Sequence, residues 1–520
     1  MPHTHPYRSL FLGGILLILT GCTLGPDFQR PAAPQSTGYL PQGASVPSTV
    51  IAEGTVQRFN ARQAIPFDWW TLFHSTALNE LIDRAFTNNP TIAAAQAALG
   101  QAQALTVAQQ GFFFPTVGVN YMPSRNKLAG NMGGNSPGIQ GNGQVIQTYS
   151  NPAGPIYNGP AYYNFHTAQL MVGFTPDVFG NNRRQVESLK AQEDEQAFQL
   201  EATYITLASN VVATAFQEAS LRAQIQATEK IIKANQDQLD ILHAQERLGY
   251  VMGIDVANQE TALAQAQQNL PPLEKALAQT RDMLRALAGN LPDQDIPQKF
   301  ELADLHLPED LPLSLPSQLV EQRPDIRMAE EQLHAASAQV GVAFTNRLPQ
   351  FSITGFIGGE ASTFDQMFHN GAGFFGIIGD VSQTLFDGGT LGARETAARQ
   401  ALKQAEAQYR STVITAFQNV ADTLHALDAD AQSLKAATAT AQAAHTAFTL
   451  TQKQYDAGYI NAQAQLTALI NEQQASLSLV QAQVNRFGDT AALYQALGGG
   501  WWQRKNGDPH TPVATLTPQK

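Results

Sequence analysis

A single cysteine, Cys22, stands in a chain of 520 residues. With one thiol there is no disulfide framework, and zinc sites built on clustered cysteines are excluded as well. Charge is scarce: Asp, Glu, Lys and Arg make up 14% of the chain, well below the usual quarter. No block of Lys or Arg interrupts the net charge of −12, which argues against a nucleic-acid surface. No apolar run approaches the roughly 20 residues that a membrane-crossing helix needs. The eleven histidines show no metal-ligand spacing, so no metal site is expected, and His3 and His5 fall in a leader. Phosphate loop, nucleophile elbow and zinc-protease motif are all missing, and no catalytic residue or enzyme activity is expected. The stretch GAGFFG (Gly371 to Gly376) matches the dinucleotide fingerprint in form only. That fingerprint needs a helix after it, and here a strand-like alternation follows.

What is abundant is Ala and Gln, a composition that suits long helices whose faces are neither greasy nor highly charged. The N-terminus has its own signal. Arg8, the apolar run Leu10 to Leu19, and the small pair Thr20 and Gly21 read as a cleaved leader over residues 1–21. Leu19-Thr20-Gly21-Cys22 resembles a bacterial lipobox, in which the cysteine becomes the new N-terminus. It would then carry an S-linked diacylglycerol and an N-acyl chain; the alternative is an ordinary leader with an incidental cysteine. Thr23 follows, and not the Asp that holds such lipoproteins at the inner membrane, so the outer membrane is the expected destination. Residues 22–76 form the expected anchor and periplasmic wrap.

The rest of the chain repeats itself. NPTIAAAQAALGQAQALTVAQQGFFFPTV from Asn89 lies over RPDIRMAEEQLHAASAQVGVAFTNRLPQF from Arg323, with Pro90 to Pro115 spaced like Pro324 to Pro349. ITLASNV at Ile205 then matches ITAFQNV at Ile414, LGYV at Leu248 matches AGYI at Ala457, and LAG at Leu287 matches LGG at Leu497. The shared order marks a tandem duplication, 77–300 and 301–500, followed by a tail from 501 to 520. Each half reads helix, strand, loop, strand, very long helix, tight turn, shorter helix. Period-two alternation predicts strands at about 116–122, 167–175, 350–358 and 374–386. Long helices are expected at about 181–248 and 390–457, on the order of 100 Å each. Their return helices run at about 255–288 and 462–497. Ile225, Thr228, Ile232, Asn235, Leu239 and Leu242 step by three and four along the first long helix, which is the spacing of a coiled-coil seam. The stretch from Met122 to Phe165, rich in Gly, Asn and Pro, is the expected extracellular loop.

Four amphipathic strands suit an outer-membrane barrel but cannot close one, and lipid does not tolerate open sheet edges. Bacterial barrels begin at eight strands. A dimer would give eight, an interior filled by side chains; a trimer gives twelve, with twelve helical columns to match. The fold class predicted is therefore mainly α with a small β part: a trimeric 12-stranded barrel that continues into a long helical coiled-coil barrel.

Seven motifs, taken in order, point to one family. CTLGPDFQRP at Cys22, DWWTLF at Asp68, ALNELIDRAFTNNP at Ala77 and PDVFGNNRR at Pro176 lie in the first half. EQRPDIRMAE at Glu321, LFDGG at Leu385 and ALGGGWW at Ala496 lie in the second. The chain resembles the TolC-like outer-membrane efflux factors, and among them the lipoprotein branch often labelled NodT. The resemblance implies a homotrimer and a periplasmic helical tunnel. It also implies helical tips that meet a membrane-fusion adaptor bound to an inner-membrane pump, of RND type. The exported cargo would be small molecules. Arg247, Leu248 and Gly249 in one repeat, and Tyr455, Asp456, Gly458 and Tyr459 in the other, are the candidate tip and gate residues. A lumen-facing Asp456 would form a ring of three in a trimer, and such rings select cations or set a gate. Gln454 stands where the family commonly has Arg, so the cation of a salt-bridge latch is missing there. Two other readings use the same features: a duct for type I protein secretion, and a lipid-anchored periplasmic coiled-coil scaffold without a pore.

Overall fold

The computed structural model describes residues 23–36, 38–40, 49–52, 55–60, 63–127 and 162–504. Cys22, the leader, most of the expected extracellular loop and the tail beyond 504 lie outside them. The chain divides into two compact units, each drawing on both repeats. One gathers the described residues within Met1–Gln29, Ala102–Ala191 and His334–Gln404; the other gathers those within Arg30–Gln101, Gln192–Leu333 and Ala405–Lys520.

Among the described residues there are seven strands. β1 (Thr49–Ala52), β2 (Thr55–Asn60) and β5 (Asp310–Pro312) form a small sheet that the sequence pattern did not announce. β3 (Thr116–Lys127), β4 (Tyr162–Phe174), β6 (Gln350–Ala361) and β7 (Gly373–Ser382) form a second, antiparallel sheet in that order. Its strands depart from the predicted bounds in instructive ways. β3 and β4 stay paired out to Lys127 and Tyr162, well past the expected end at 122. Pro123 obscured this, yet β3 is an edge strand, where a missing N–H is tolerated. β7 stops at Ser382 and does not reach 386, because its partner β6 begins at Gln350, just after Pro349. Gln383 turns its amide onto the Arg347 carbonyl, 3.0 Å away. GAGFFG lies where the chain turns into β7, with a strand after it and no helix.

The helices are α1 (Thr76–Asn88), α2 (Pro90–Gln110), α3 (Asn181–Arg247), α4 (Gly253–Leu287), α5 (Pro316–Gln322), α6 (Pro324–Thr345), α7 (Thr390–Asp456) and α8 (Ala462–Ala496). α3 and α7 have 67 residues each. Each long helix is started by an aspartate just upstream. Asp177 accepts from the Asn182 and Arg183 amides at 2.9 and 3.0 Å, and Asp387 from Leu391 and Gly389 at 2.6 and 2.8 Å. These bonds satisfy N–H groups that a helix start leaves orphaned. The amides of Leu391 and Gly389 hold the Asp387 carboxyl below its ordinary range.

The stops are equally regular. α3, α4, α7 and α8 all end in a Schellman motif, with Gly249, Gly289, Gly458 and Gly498 at positive φ. In α3 the Gly249 amide reaches the Glu246 carbonyl and the Tyr250 amide the Gln245 carbonyl, both at 2.9 Å. In α7 the Gly458 and Tyr459 amides do the same to Tyr455 and Gln454, again at 2.9 Å. α4 carries Pro271 and Pro272 in its interior without ending there. The carbonyls of Gln267 and Gln268, which lose their donors, belong to exposed residues, so water satisfies them.

The short helices meet end to end. The Asn89 side-chain amide donates to the Leu287 carbonyl at 2.9 Å, joining the end of α4 to the start of α2. At the matching place in the second repeat, Arg323 donates to the Ala496 carbonyl at 2.8 Å, joining α8 to α6. A different side chain solves the same problem in each repeat.

The main core belongs to the second unit. Trp69 of DWWTLF is fully buried and stacks on Tyr494 at 5.4 Å, while Phe73, Phe216 and Phe487 pack edge-on and tilted nearby. α3 feeds this core through Leu200, Tyr204, Ala208, Val211, Ala215 and Ala219, a stripe at steps of three and four. Farther along α3, Leu239 and Leu242 pack with Val256 and Leu263 of α4, with Ile232 beside them, and Thr228 and Asn235 are buried on the same seam. Gln259 of α4 satisfies that buried Asn235 through its carbonyl oxygens at 2.8 and 3.1 Å. The terminal GGGWW motif closes the core. Arg504 forks onto Glu201 at 2.9 and 2.8 Å and lies over the Phe67 ring at 4.2 Å.

Candidate functional site

Two regions carry the chemistry: the four-stranded sheet of one unit and the helical turns of the other. The sheet is built to face two solvents. Its register aligns Val117 with Val172, Val119 with Leu170 and Leu170 with Ile357, and Ile357 with Phe375. On the same side lie Ile353, Ile377 and Val381. All of these side chains but the half-buried Val172 are exposed in the single chain, Phe375 and Ile377 each to 81%. An apolar face of this size does not face water. The opposite side holds Thr116, Asn120, Gln169, Ser352, Thr354 and Asp380 in the alternate positions of the same strands. Apolar on one side and largely polar on the other, strands of 10 to 13 residues are the pattern of a transmembrane barrel wall.

Aromatic side chains mark both ends of that wall. Tyr121 meets Phe364 edge-on at 5.6 Å, and Phe364 meets Phe368 at 5.5 Å, at the end where β6 turns into β7. At the other end Phe112, Phe113 and Phe114 precede β3, and Leu385 and Phe386 follow β7, all exposed. Two girdles flanking an apolar band fit the two interfaces of a bilayer. Among the described residues neither β3 nor β7 has a second neighbour, so the wall has two open edges.

Four features hold Thr23 to Phe28, the described residues that follow Cys22, against the start of α3 and against α6. The Leu24 amide donates to the Phe179 carbonyl at 3.2 Å. Arg184, its side chain almost wholly buried, binds Asp27 at 2.6 Å and Glu187 at 2.7 Å. Phe28 stacks on His334 at 4.3 Å. A Cβ on Gly180 would press on Thr23 at 2.9 Å, so the chain just after Cys22 runs tightly past the start of α3.

The predicted tip residues fall on the two turns, α3 to α4 and α7 to α8. Arg247 and Asp456 are the last residues of their helices, and Leu248, Gly249, Gly458 and Tyr459 form the turns. The two turns touch. Tyr455 donates its hydroxyl to the Gln245 side chain at 3.2 Å. Gln245 was not singled out from the sequence, though it occupies the repeat position that matches Gln454. Asp456 accepts from Gln452 at 2.9 Å and makes no ion pair among the described residues. Leu248, Tyr250, Met252, Ile254 and Tyr459 are all strongly exposed, an apolar cluster on otherwise polar helices.

A family model described as outer membrane efflux protein matches residues 81–290 and 315–499. The chain belongs to the outer membrane efflux protein family. It is an outer-membrane protein, and its function is that of the outer-membrane component of an efflux pump. The solvent efflux pump outer membrane protein SrpC of Pseudomonas putida is 28% identical over 498 residues, covering 94% of this chain and 98% of SrpC. The pyoverdine export outer membrane protein OpmQ of Pseudomonas putida is 29% identical over 449 residues, 84% of this chain and 89% of OpmQ. Among solved structures, the Campylobacter jejuni CmeC outer membrane channel superposes with a TM-score of 0.80 at 22% identity, covering 93% of this chain and 96% of CmeC. Efflux family members of this fold are channels, with a barrel and a helical periplasmic part, and the mainly helical chain with its small sheet agrees with that class.

Proposed function

We propose that three copies of this chain close into a 12-stranded barrel and a helical tunnel, forming the exit duct of a tripartite pump. One observation carries the reading: an amphipathic four-stranded sheet whose outer face is apolar and whose edges, β3 and β7, are both unpaired. In lipid those edges need partners, and β7 of one copy can supply them to β3 of the next. Three copies are the smallest number that closes with room for a lumen. Passage through such a duct makes and breaks no bonds, so it uses no catalytic residue and no bound cofactor.

The exposed cluster at the turns offers a docking surface for a periplasmic adaptor, and through it the duct serves an inner-membrane pump of RND type. Asp456, repeated three times, forms the gate ring, with Tyr455 bracing it against Gln245. Cys22 carries the lipid, and the Arg184 anchorage of Asp27 sets it beside the barrel. The cargo is small molecules; SrpC and OpmQ are named for solvents and pyoverdine respectively, and the pump does most of the choosing. Cysteine cross-linking tests closure. With a cysteine at Val119 and a second scanned along β7 in a Cys22→Ser background, oxidation in outer membranes is expected to give covalent dimers and trimers. Only monomers at every scanned position would reject the closed barrel.

A further inference from the structure

The sheet face that turns away from lipid is not uniformly polar. Met171, Phe356, Phe374 and Ile378 lie on it, in the same alternate set of positions as Gln169, Thr354 and Asp380. The register gathers these four into adjacent rows. Gly118, Met171, Phe356 and Gly376 are partners across the four strands in one row. Phe374 pairs with Gly358 in the next row on one side, and Ile378 with Thr354 on the other. The Phe356 and Phe374 rings sit 5.9 Å apart and tilted by 53°.

Gly376 makes room for the Phe356 ring. Phe356 leans over Gly376, where any Cβ would collide with it, and a Cβ at Gly358 would strike the Ala168 carbonyl and Gln169. Gln169 points its amide nitrogen at the Met171 sulfur, 3.2 Å away. The group is not core: Ile378 is 53% exposed and Met171 36%. A water-filled interior has no need of two phenylalanines, a methionine and an isoleucine in one place, since barrel interiors of this kind are polar. Flat rings beside a polarisable sulfur favour another aromatic surface, through offset or edge contacts.

We propose that Met171, Phe356, Phe374 and Ile378 form an apolar subsite inside the duct, repeated in each copy, that takes small neutral aromatic solutes in transit. The proposal rests on the trimeric-channel reading, which assigns this face to the lumen. Three weak sites at one level suit conduction, because a passing solute must be able to leave as readily as it enters. The collar would give uncharged aromatic cargo a stepping place midway through a polar tube.

Single-channel recording in planar bilayers tests it, with indole as the aromatic probe and sorbitol as a polar control. Wild-type channels are expected to show concentration-dependent current block by indole and none by sorbitol. The triple variant Met171→Thr, Phe356→Ser, Phe374→Ser is expected to keep its open conductance and heat-resistant trimer while indole block weakens at least ~10-fold. Should the triple variant not assemble, Phe356→Ser alone is recorded, with a weakening of ~3-fold expected. Equal indole block in wild type and variant, or equal block by sorbitol, overturns the subsite while leaving the channel intact. An absence of any conductance in the wild type overturns the channel reading and the subsite with it.

Discussion

Asp430, Asp489 and Arg486 crowd together between α7 and α8, beside the buried Gln57 of β2. Arg486 is fully buried; its Nε donates to Gln57 at 2.7 Å and a terminal nitrogen donates to the Leu427 carbonyl. Among the described residues its other terminal nitrogen has no hydrogen-bond partner, and neither does Asp430 Oδ2. Burial raises the Asp430 carboxyl to about 7, helped by its hydrogen bond to Asp489, while Arg486 opposes the rise. Burial also brings Arg486 down to about 10, against the pull of Asp430, Asp489 and Asp428. Because the folded value lies above the ordinary 3.8, the native state holds an extra proton between roughly pH 4 and 7. The contribution is complete below that window and is lost as the pH rises through 7. Thermal unfolding of the helical part is therefore expected at lower temperature at pH 8 than at pH 5, and Asp430→Asn should flatten that difference. An unchanged pH profile in the variant would remove this group as its source. Asp456 makes the second residue-scale case. If it lines the gate, Asp456→Asn removes three charges from a narrow ring and raises single-channel conductance; no change there strikes it from the gate.

Among the secondary-structure elements, the sheet makes the sharper demand. Ile377 and Thr354 sit on neighbouring strands but on opposite faces. A charge on the lipid side of a barrel costs about 2–4 kcal/mol near the midplane, whereas the lumen side accepts it. Ile377→Arg is expected to abolish the heat-resistant trimer in outer-membrane extracts, and Thr354→Arg to leave it in place. The opposite result would exchange the two faces.

The helices and the strand faces were legible because both are periodic. Ends marked by Asp upstream and Gly downstream fell within a residue or two of the expected places, since those residues make the caps themselves. What stayed hidden was non-periodic. β5 has three residues and pairs with β2, about 250 positions away in sequence, so no local pattern announces it. Arg486 on a helix reads as a solvated cation; only the burial of Gln57 beside it shows otherwise. Gln245 could have been found, because the repeat alignment sets it opposite Gln454.

For the whole molecule, the duplicated plan gives every chain two long helices and two composite columns, joined by Asn89 in one repeat and Arg323 in the other. With the proposed lipid on Cys22, two attachments to the membrane are available to one chain, the strands and that lipid. The strands supply many more apolar contacts than acyl chains alone, each buried CH₂ contributing about 0.8 kcal/mol. Cys22→Ser behind a non-lipoprotein leader is therefore expected to leave trimers and efflux largely intact. A collapse of efflux in that variant would show that the tether is needed for sorting or assembly.

The open edges of the sheet have a consequence for how the protein comes into being. A helical column can satisfy its own backbone in water as soon as it is made, but β3 and β7 cannot. Each newly exported chain therefore travels half-finished, with a wall whose rim still invites any other strand. Its survival becomes a race between meeting two siblings at a bilayer and meeting the wrong edge first. Conditions that slow delivery to the membrane should raise the yield of tangled aggregates steeply with expression level, since in the proposed trimer three copies must meet before any one of them is complete.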